Sequence, residues 1–258
     1  MTLTRDAWLQ CRHDPQVIII MLRFVAALLL ALTAILEPVD AEPVAPHPSL
    51  RFGAVLFQDD FRSGLSQWQI ETERPGKIVA NNGVLDIDIP AGATLWFKPQ
   101  LTGPVAIVFD ARAISAGGRN DRVSDLSCFW MARNQDDKSP VYERRRSGKF
   151  DDYNDLLTYY VGLGASNNTT TRFRRYAGSA VSLPLLPEHD LTSPDVLLAP
   201  NRTQTVTVLA NGHEIEYWRD SKRLIRFVDP EPYTRGWFAL RTTQSHLKIE
   251  SLRVYSLH

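Results

Sequence analysis

Beyond position 50 the chain never sustains a helical period for more than about ten residues, and this limits its fold more than any other feature. What recurs instead is a period of two, in short apolar runs bounded by Gly, Pro, Asn and Asp. Ile78-Val79-Ala80, the turn Asn81-Asn82-Gly83 and Val84 to Ile89 read as a hairpin. Its second strand turns Leu85, Ile87 and Ile89 one way and Val84, Asp86 and Asp88 the other. Phe52 to Phe61, Thr94 to Lys98 and Val105 to Ala113 read as further strands, and Leu126 to Met131 is an apolar island in a polar middle section. From Thr203 to Tyr255 short strands follow one another through tight turns such as Asn211-Gly212 and Asp220-Ser221, which requires antiparallel pairing. The expected fold is all-β, a two-sheet antiparallel β-sandwich of the jelly-roll type.

The amino-terminal end obeys different chemistry. Met21-Leu22-Arg23, the apolar run Phe24 to Leu36 and the small residues around Val39-Asp40-Ala41 have the order of a secretion signal. The expected start is Met21, with cleavage after Ala41 and export to the periplasm or the extracellular space. Pro43, Pro46 and Pro48 make residues 42–50 a stiff linker, and residues 51–258 form the folded domain. Without its first 41 residues the chain loses three Lys or Arg and four Asp or Glu from 29 of each, leaving a net charge of +1. That balance excludes nonspecific nucleic-acid binding, and no membrane contact is expected after cleavage. Cys128 is then the single cysteine, so an internal disulfide and CxxC metal chemistry are both excluded.

Tyr159 to Tyr176, YYVGLGASNNTTTRFRRY, concentrates the polar chemistry. Read as two strands and a turn, it places Tyr160 and Gly162 on one face of the first strand. On the second strand Arg172, Arg174 and Tyr176 share a face, with Phe173 and Arg175 opposite. An apolar core would have to desolvate two guanidinium groups, so this face is expected at a wet groove that receives oxygen acceptors.

Three segments, NDRVSDLSCFWMARN from Asn120, YYVGLG with NTTTRFRRY, and PYTRGWFALRTTQSH from Pro232, resemble an exported bacterial family of concanavalin A-like jelly rolls catalogued as domain of unknown function 6250. The Asp60-Phe61 turn with Trp68, and the last strand Leu247 to Tyr255, fit the same jelly-roll pattern. The resemblance spans about Phe57 to Tyr255 and implies a glycan-related role without supplying a reaction.

Within those segments the candidate substrate-binding residues are Arg172, Arg174, Arg241, Asp121, Asp125, Trp130 and Trp237. Arginines can grip a sugar carboxylate in bidentate fashion, and tryptophan rings can stack on pyranose faces. His189 or His246 is the candidate base and Tyr160 the candidate acid of a lyase-type elimination. A glycoside hydrolase needs two facing carboxylates instead, and the compact ExDxxE pattern of laminarinase-like jelly rolls is absent. No cofactor is expected; Asp59, Asp60 and Asp110 are the acids that a structural calcium would use. The expected function is an exported carbohydrate-active protein that binds and cleaves a poly- or oligosaccharide with acidic sugars, lyase chemistry ahead of hydrolysis. The alternative is a noncatalytic glycan-binding or cell-surface structural module, and the two differ in whether the polar side chains converge.

Overall fold

The computed structural model describes residues 50–179 and 185–258. The expected signal, its cleavage site and all of the linker but Leu50 lie outside the described residues. Thirteen strands follow in chain order: β1 Phe52–Asp59, β2 Trp68–Thr72, β3 Lys77–Asn81, β4 Val84–Thr102, β5 Val105–Ala113, β6 Leu126–Arg133, β7 Leu157–Gly164, β8 Thr170–Ala177, β9 Asp190–Leu191, β10 Gln204–Asn211, β11 Glu214–Arg219, β12 Lys222–Val228 and β13 Arg235–Leu257. All strand pairings are antiparallel.

Two long strands organise the rest. The sequence divides Val84 to Lys98 and Trp237 to Tyr255 into two strands each, but β4 and β13 run unbroken for 19 and 23 residues. The carboxyl-terminal half of β4 and the amino-terminal half of β13 pair with each other, with β2 outside β4, and β6 to β9 continue beyond β13. The other halves pair with β3, β5 and β1, and β10 to β12 extend that layer. The change of layer on β13 coincides with a register shift between Thr243 and Ser245, where Gln244 has φ 44°. Such irregularities bend a strand around a corner instead of ending it.

Burial follows this division. Val84 to Pro90 alternates between half-buried and buried positions, because only one face meets the core; Ala91 to Phe97 is buried on both. Ile87, Leu95, Ile107, Val161, Val208, Phe238 and Leu240 belong to the large cluster between the layers. A second cluster, Trp96, Phe129, Tyr153, Tyr160, Tyr176 and Trp237, lies on the opposite face of the layer β2-β4-β13-β6-β7-β8-β9 (the β2–β9 layer). Tyr153 belongs to the connection between β6 and β7, which therefore lies over that face. This layer buries side chains on both faces, which explains why β6, LSCFWMAR, shows no alternation at all.

No helix among the described residues is long and apolar enough to cross a membrane. Of the acids considered for calcium, Asp59 accepts the Phe61 N–H at 2.8 Å and Trp68 Nε1 at 2.7 Å, and Asp110 accepts the Thr205 hydroxyl at 2.5 Å. Among the described residues, no three His, Cys, Asp or Glu side chains are grouped to hold a metal ion.

Candidate functional site

Strand register alone builds a polar row across the outer face of the β2–β9 layer. Glu71 is paired with Thr94, Thr94 with Arg241, Arg241 with Ser127, Ser127 with Gly162, Gly162 with Arg172, and Arg172 with Asp190. The neighbouring row contains Trp96, Ala239, Phe129, Tyr160 and Arg174. Directly paired residues share a face, so Tyr160 and Gly162 of β7 lie on the same face as Arg172 and Arg174 of β8.

A cleft of about 190 Å³ opens on this face. Arg172, Arg174 and Arg241 line it with Tyr160, Asp125 and Ser127, and Phe150, Ser166 and Thr243 complete the wall. Asp125 is the single carboxylate in that lining. Its Oδ2 accepts Arg122 Nη2 at 3.0 Å and the Ser124 hydroxyl at 2.8 Å, and no described residue donates to Oδ1. Burial raises its carboxyl above the ordinary range, against the pull of Ser124, Arg122 and Arg241. Tyr160 buries its ring against Phe129, 5.0 Å between centroids, and its hydroxyl donates to Ser127 Oγ at 3.1 Å. Burial pushes this phenol up to about 12, so it carries its proton at neutral pH.

The three arginines differ in freedom. Arg172 is held by Asp190, Nε to Oδ1 at 2.8 Å and Nη2 to Oδ2 at 3.2 Å, a fork that fixes the guanidinium plane. Arg241 is buried and donates through Nη1 to neutral acceptors, Thr94 Oγ1 at 2.7 Å and Gly148 O at 3.1 Å. Its guanidinium lies 5.0 Å from the Phe150 ring centroid and 4.9 Å from that of Tyr153. Arg174 projects beside Tyr160 from the next strand.

The segment with Phe150 is pressed flat on the sheet. Gly148 has φ +86°, and a Cβ there would lie 2.4 Å from Glu73 N, so the backbone approaches β2 as closely as only glycine allows. Glu71 secures it from below, accepting Tyr153 Oη at 2.8 Å, Trp96 Nε1 at 3.0 Å and the Arg146 N–H at 3.1 Å. The run Arg144 to Arg146, which reads as a solvated face, is divided: the side chain of Arg146 is 3% exposed and donates to Val141 O, Arg144 O, Asp152 O and Asn134 Oδ1.

Of the residues singled out in the sequence, Asp125, Tyr160, Arg172, Arg174 and Arg241 meet in this cleft. The other five lie elsewhere. Trp130 pairs with Tyr159 and faces the inter-layer core, with Tyr159 and Phe173 at 5.5 and 6.0 Å. Trp237 is on the outer face but buried, its Nε1 donating to Lys98 O at 3.1 Å and its ring edge-on to Tyr142. His189 is tucked edge-on against Phe173 and Phe227 in a separate pocket, where burial lowers its pKa. His246 lies between two acids, Nδ1 2.8 Å from Asp121 Oδ1 and Nε2 2.8 Å from Asp86 Oδ1. Asp121 also accepts the N–H groups of Ala116 and Gly118 and thereby pins its loop. Sequence reasoning missed Phe150, Ser127 and Arg122; the aromatic next to the arginine run was the available signal for the first.

The fold recurs in solved structures of distant sequence. A protein of unknown function with a galectin-like fold from Bacillus subtilis aligns with TM-score 0.61 and 15% identity, over 81% of this chain and 98% of its own. The carbohydrate binding module CBM66 from Bacillus subtilis aligns with TM-score 0.50 and 10% identity, over 74% and 97%. The endo-β-1,3-glucanase from Pyrococcus furiosus aligns with TM-score 0.53 and 10% identity, over 79% and 94%. These likenesses establish the jelly-roll sandwich and nothing about the site. No curated protein matches the chain in sequence. The model of one family, described as a domain of unknown function (DUF6250), matches residues 87–252.

Proposed function

Since the chain belongs to the DUF6250 family, whose description carries no reaction, its function has to come from the cleft, and we propose that the cleft takes one acidic unit of a poly- or oligosaccharide. The observation that carries this reading is the lining itself: three guanidinium groups around a single, hydrogen-bonded carboxylate, with hydroxyls and one aromatic wall. Guanidinium pairs suit a sugar carboxylate, hydroxyls suit the ring oxygens, and Phe150 suits an apolar pyranose face. Carbohydrate as the ligand class is supported further by the two neighbours named for it, the binding module and the glucanase. Export, as the amino-terminal segment predicts, is part of the proposal.

The reaction that this set would serve is β-elimination. Arg172 and Arg174 would neutralise the uronate carboxylate and so acidify its C5–H. Asp125 would accept the C5 proton, the C5 electron pair would form the C4=C5 double bond, and the C4–O bond would break. Tyr160, protonated at neutral pH, would give its proton to the departing oxygen. His189 and His246 take no part in this account, because neither lines the cleft. Two-carboxylate hydrolysis is disfavoured on the same ground, since Asp125 has no second acid facing it in the lining.

The test is to incubate the purified protein with pectic, alginate and glucuronan substrates alongside neutral β-glucans. Ultraviolet absorbance of an unsaturated uronide, reducing ends and retention on immobilised glycan are followed together. New absorbance that disappears in Tyr160→Phe supports the lyase. Retention on acidic glycans without products reduces the proposal to binding, and reducing ends from neutral glucans overturn it.

A further inference from the structure

A second basic hollow lies close to the cleft, around the bend of β4. Arg74, Lys77 and Arg119 surround it over a floor of Gly76 and Pro90, with a volume of about 500 Å³. Its charges are unevenly matched. Lys77 is bonded to Asp86 at 2.7 Å, and the hollow's one acid, Asp88, accepts Asn120 Nδ2 at 2.8 Å. Arg74 and Arg119 are exposed, and neither side chain has a partner among the described residues. Two guanidinium groups without a described partner thus converge from separate segments on one concave surface, in which Asp88 is the single acid.

Its position relative to the cleft is set by the strands. Thr243 lines the cleft; His246, three residues further along β13, is paired with Asp88, which lines the hollow. Three residues of strand span at most about 10 Å, and β13 bends at Gln244 between them, so the two linings are near neighbours. The intervening loop is fixed at both ends. Asp121 binds His246 and the Ala116 and Gly118 N–H groups, and Arg122 reaches Asp125 at 3.0 Å and Thr243 O at 2.8 Å. Hollow and cleft therefore keep a constant spacing.

From this we infer that the hollow is a second anion subsite, in which Arg74 and Arg119 hold another carboxylate of the same acidic saccharide chain whose first acidic unit occupies the cleft. The inference rests on the proposed reading of the cleft. It adds a length requirement: the preferred ligand is an oligomer with repeated negative charge, long enough to reach from the cleft to the hollow. Tethering the second contact to the first raises apparent affinity without any new contact in the cleft.

Calorimetric titration with oligogalacturonates and oligomannuronates from dimer to hexamer tests this, using the parent protein, Arg74→Ala/Arg119→Ala and Phe150→Ala. The expected result is that the hexamer binds the parent about tenfold more tightly than the dimer. The double variant should lose that gain while its dimer affinity stays unchanged, and Phe150→Ala should weaken both lengths alike. Equal affinity for dimer and hexamer, or a length gain that survives in the double variant, overturns the second subsite and leaves the cleft reading standing. Hexamer binding abolished in the double variant but untouched by Phe150→Ala overturns the cleft reading and, with it, the pairing of the hollow with the cleft. No binding of any acidic oligomer overturns both.

Discussion

The carboxylate of Glu71 accepts the phenol of Tyr153 at 2.8 Å, joining strand β2 to a loop residue 82 positions away. The same oxygen takes Trp96 Nε1 at 3.0 Å, and the other takes the Arg146 N–H at 3.1 Å, so one buried acid satisfies three donors beneath the cleft wall. Glu71→Gln keeps the shape but turns an N–H₂ group towards those donors. Buried donors left without acceptors make this a loss of about 2 kcal/mol, read as a lower urea midpoint. Loosening of the Phe150 segment should weaken saccharide binding as well.

Asp125 should show the opposite balance. It has φ 56°, a conformation that asparagine tolerates as well as aspartate does, and burial disfavours its charged form. Asp125→Asn should therefore stabilise the fold at neutral pH by about 1 kcal/mol while abolishing elimination. A raised carboxyl costs stability as pH climbs through its titration range, so the advantage of Asn should vanish at acid pH. Thermal unfolding at several pH values, with the lyase assay, measures both.

Asp229 titrates with the reverse sign. Burial would raise its carboxyl, but hydrogen bonds from Tyr159 Oη at 2.6 Å and Arg175 Nε at 2.7 Å more than offset this and hold it below the ordinary range. Its stabilising effect is fully present above the unfolded value of about 4 and is lost as pH falls through the depressed folded value. Asp229→Asn should lose about 3 kcal/mol at neutral pH, and the two proteins should converge in stability in acid, as chemical denaturation across pH would show.

Phe150 is the exposed aromatic of the cleft, at 37%. Phe150→Ala should reduce saccharide affinity about tenfold, or ~1.4 kcal/mol, with little change in melting temperature because the ring is not part of a closed core. Trp237→Phe, by contrast, should leave affinity unchanged and lower stability through loss of the bond to Lys98 O. Isothermal titration and thermal unfolding of both variants separate the two roles.

The fold and half of the cleft were legible because a period of two admits no choice of face once a hairpin is recognised. Tyr160 and Arg174, Gly162 and Arg172 are paired as that period requires. What was not legible has specific causes. In LSCFWMAR every residue is buried or nearly so, so nothing local says that Phe129 faces the cleft layer and Trp130 the core. Pro90, Gly92 and Gln244 interrupt the apolar alternation, and in a sequence a bent strand breaks its pattern as a terminated one does. Phe150 and Arg146 depend on a loop whose docking is decided by Glu71, 75 residues upstream of Arg146.

Because β4 and β13 each pass from one layer into the other, the two layers cannot separate or slide while their strands stay whole. The cleft lies on the outer face of one of these layers, so its floor is tied through continuous backbone ladders to both. Ligand therefore meets a floor that behaves as a single stiff plate. Amide protons at Arg241 and at Leu247, on opposite sides of the bend, should accordingly exchange with solvent only in the same global unfolding event.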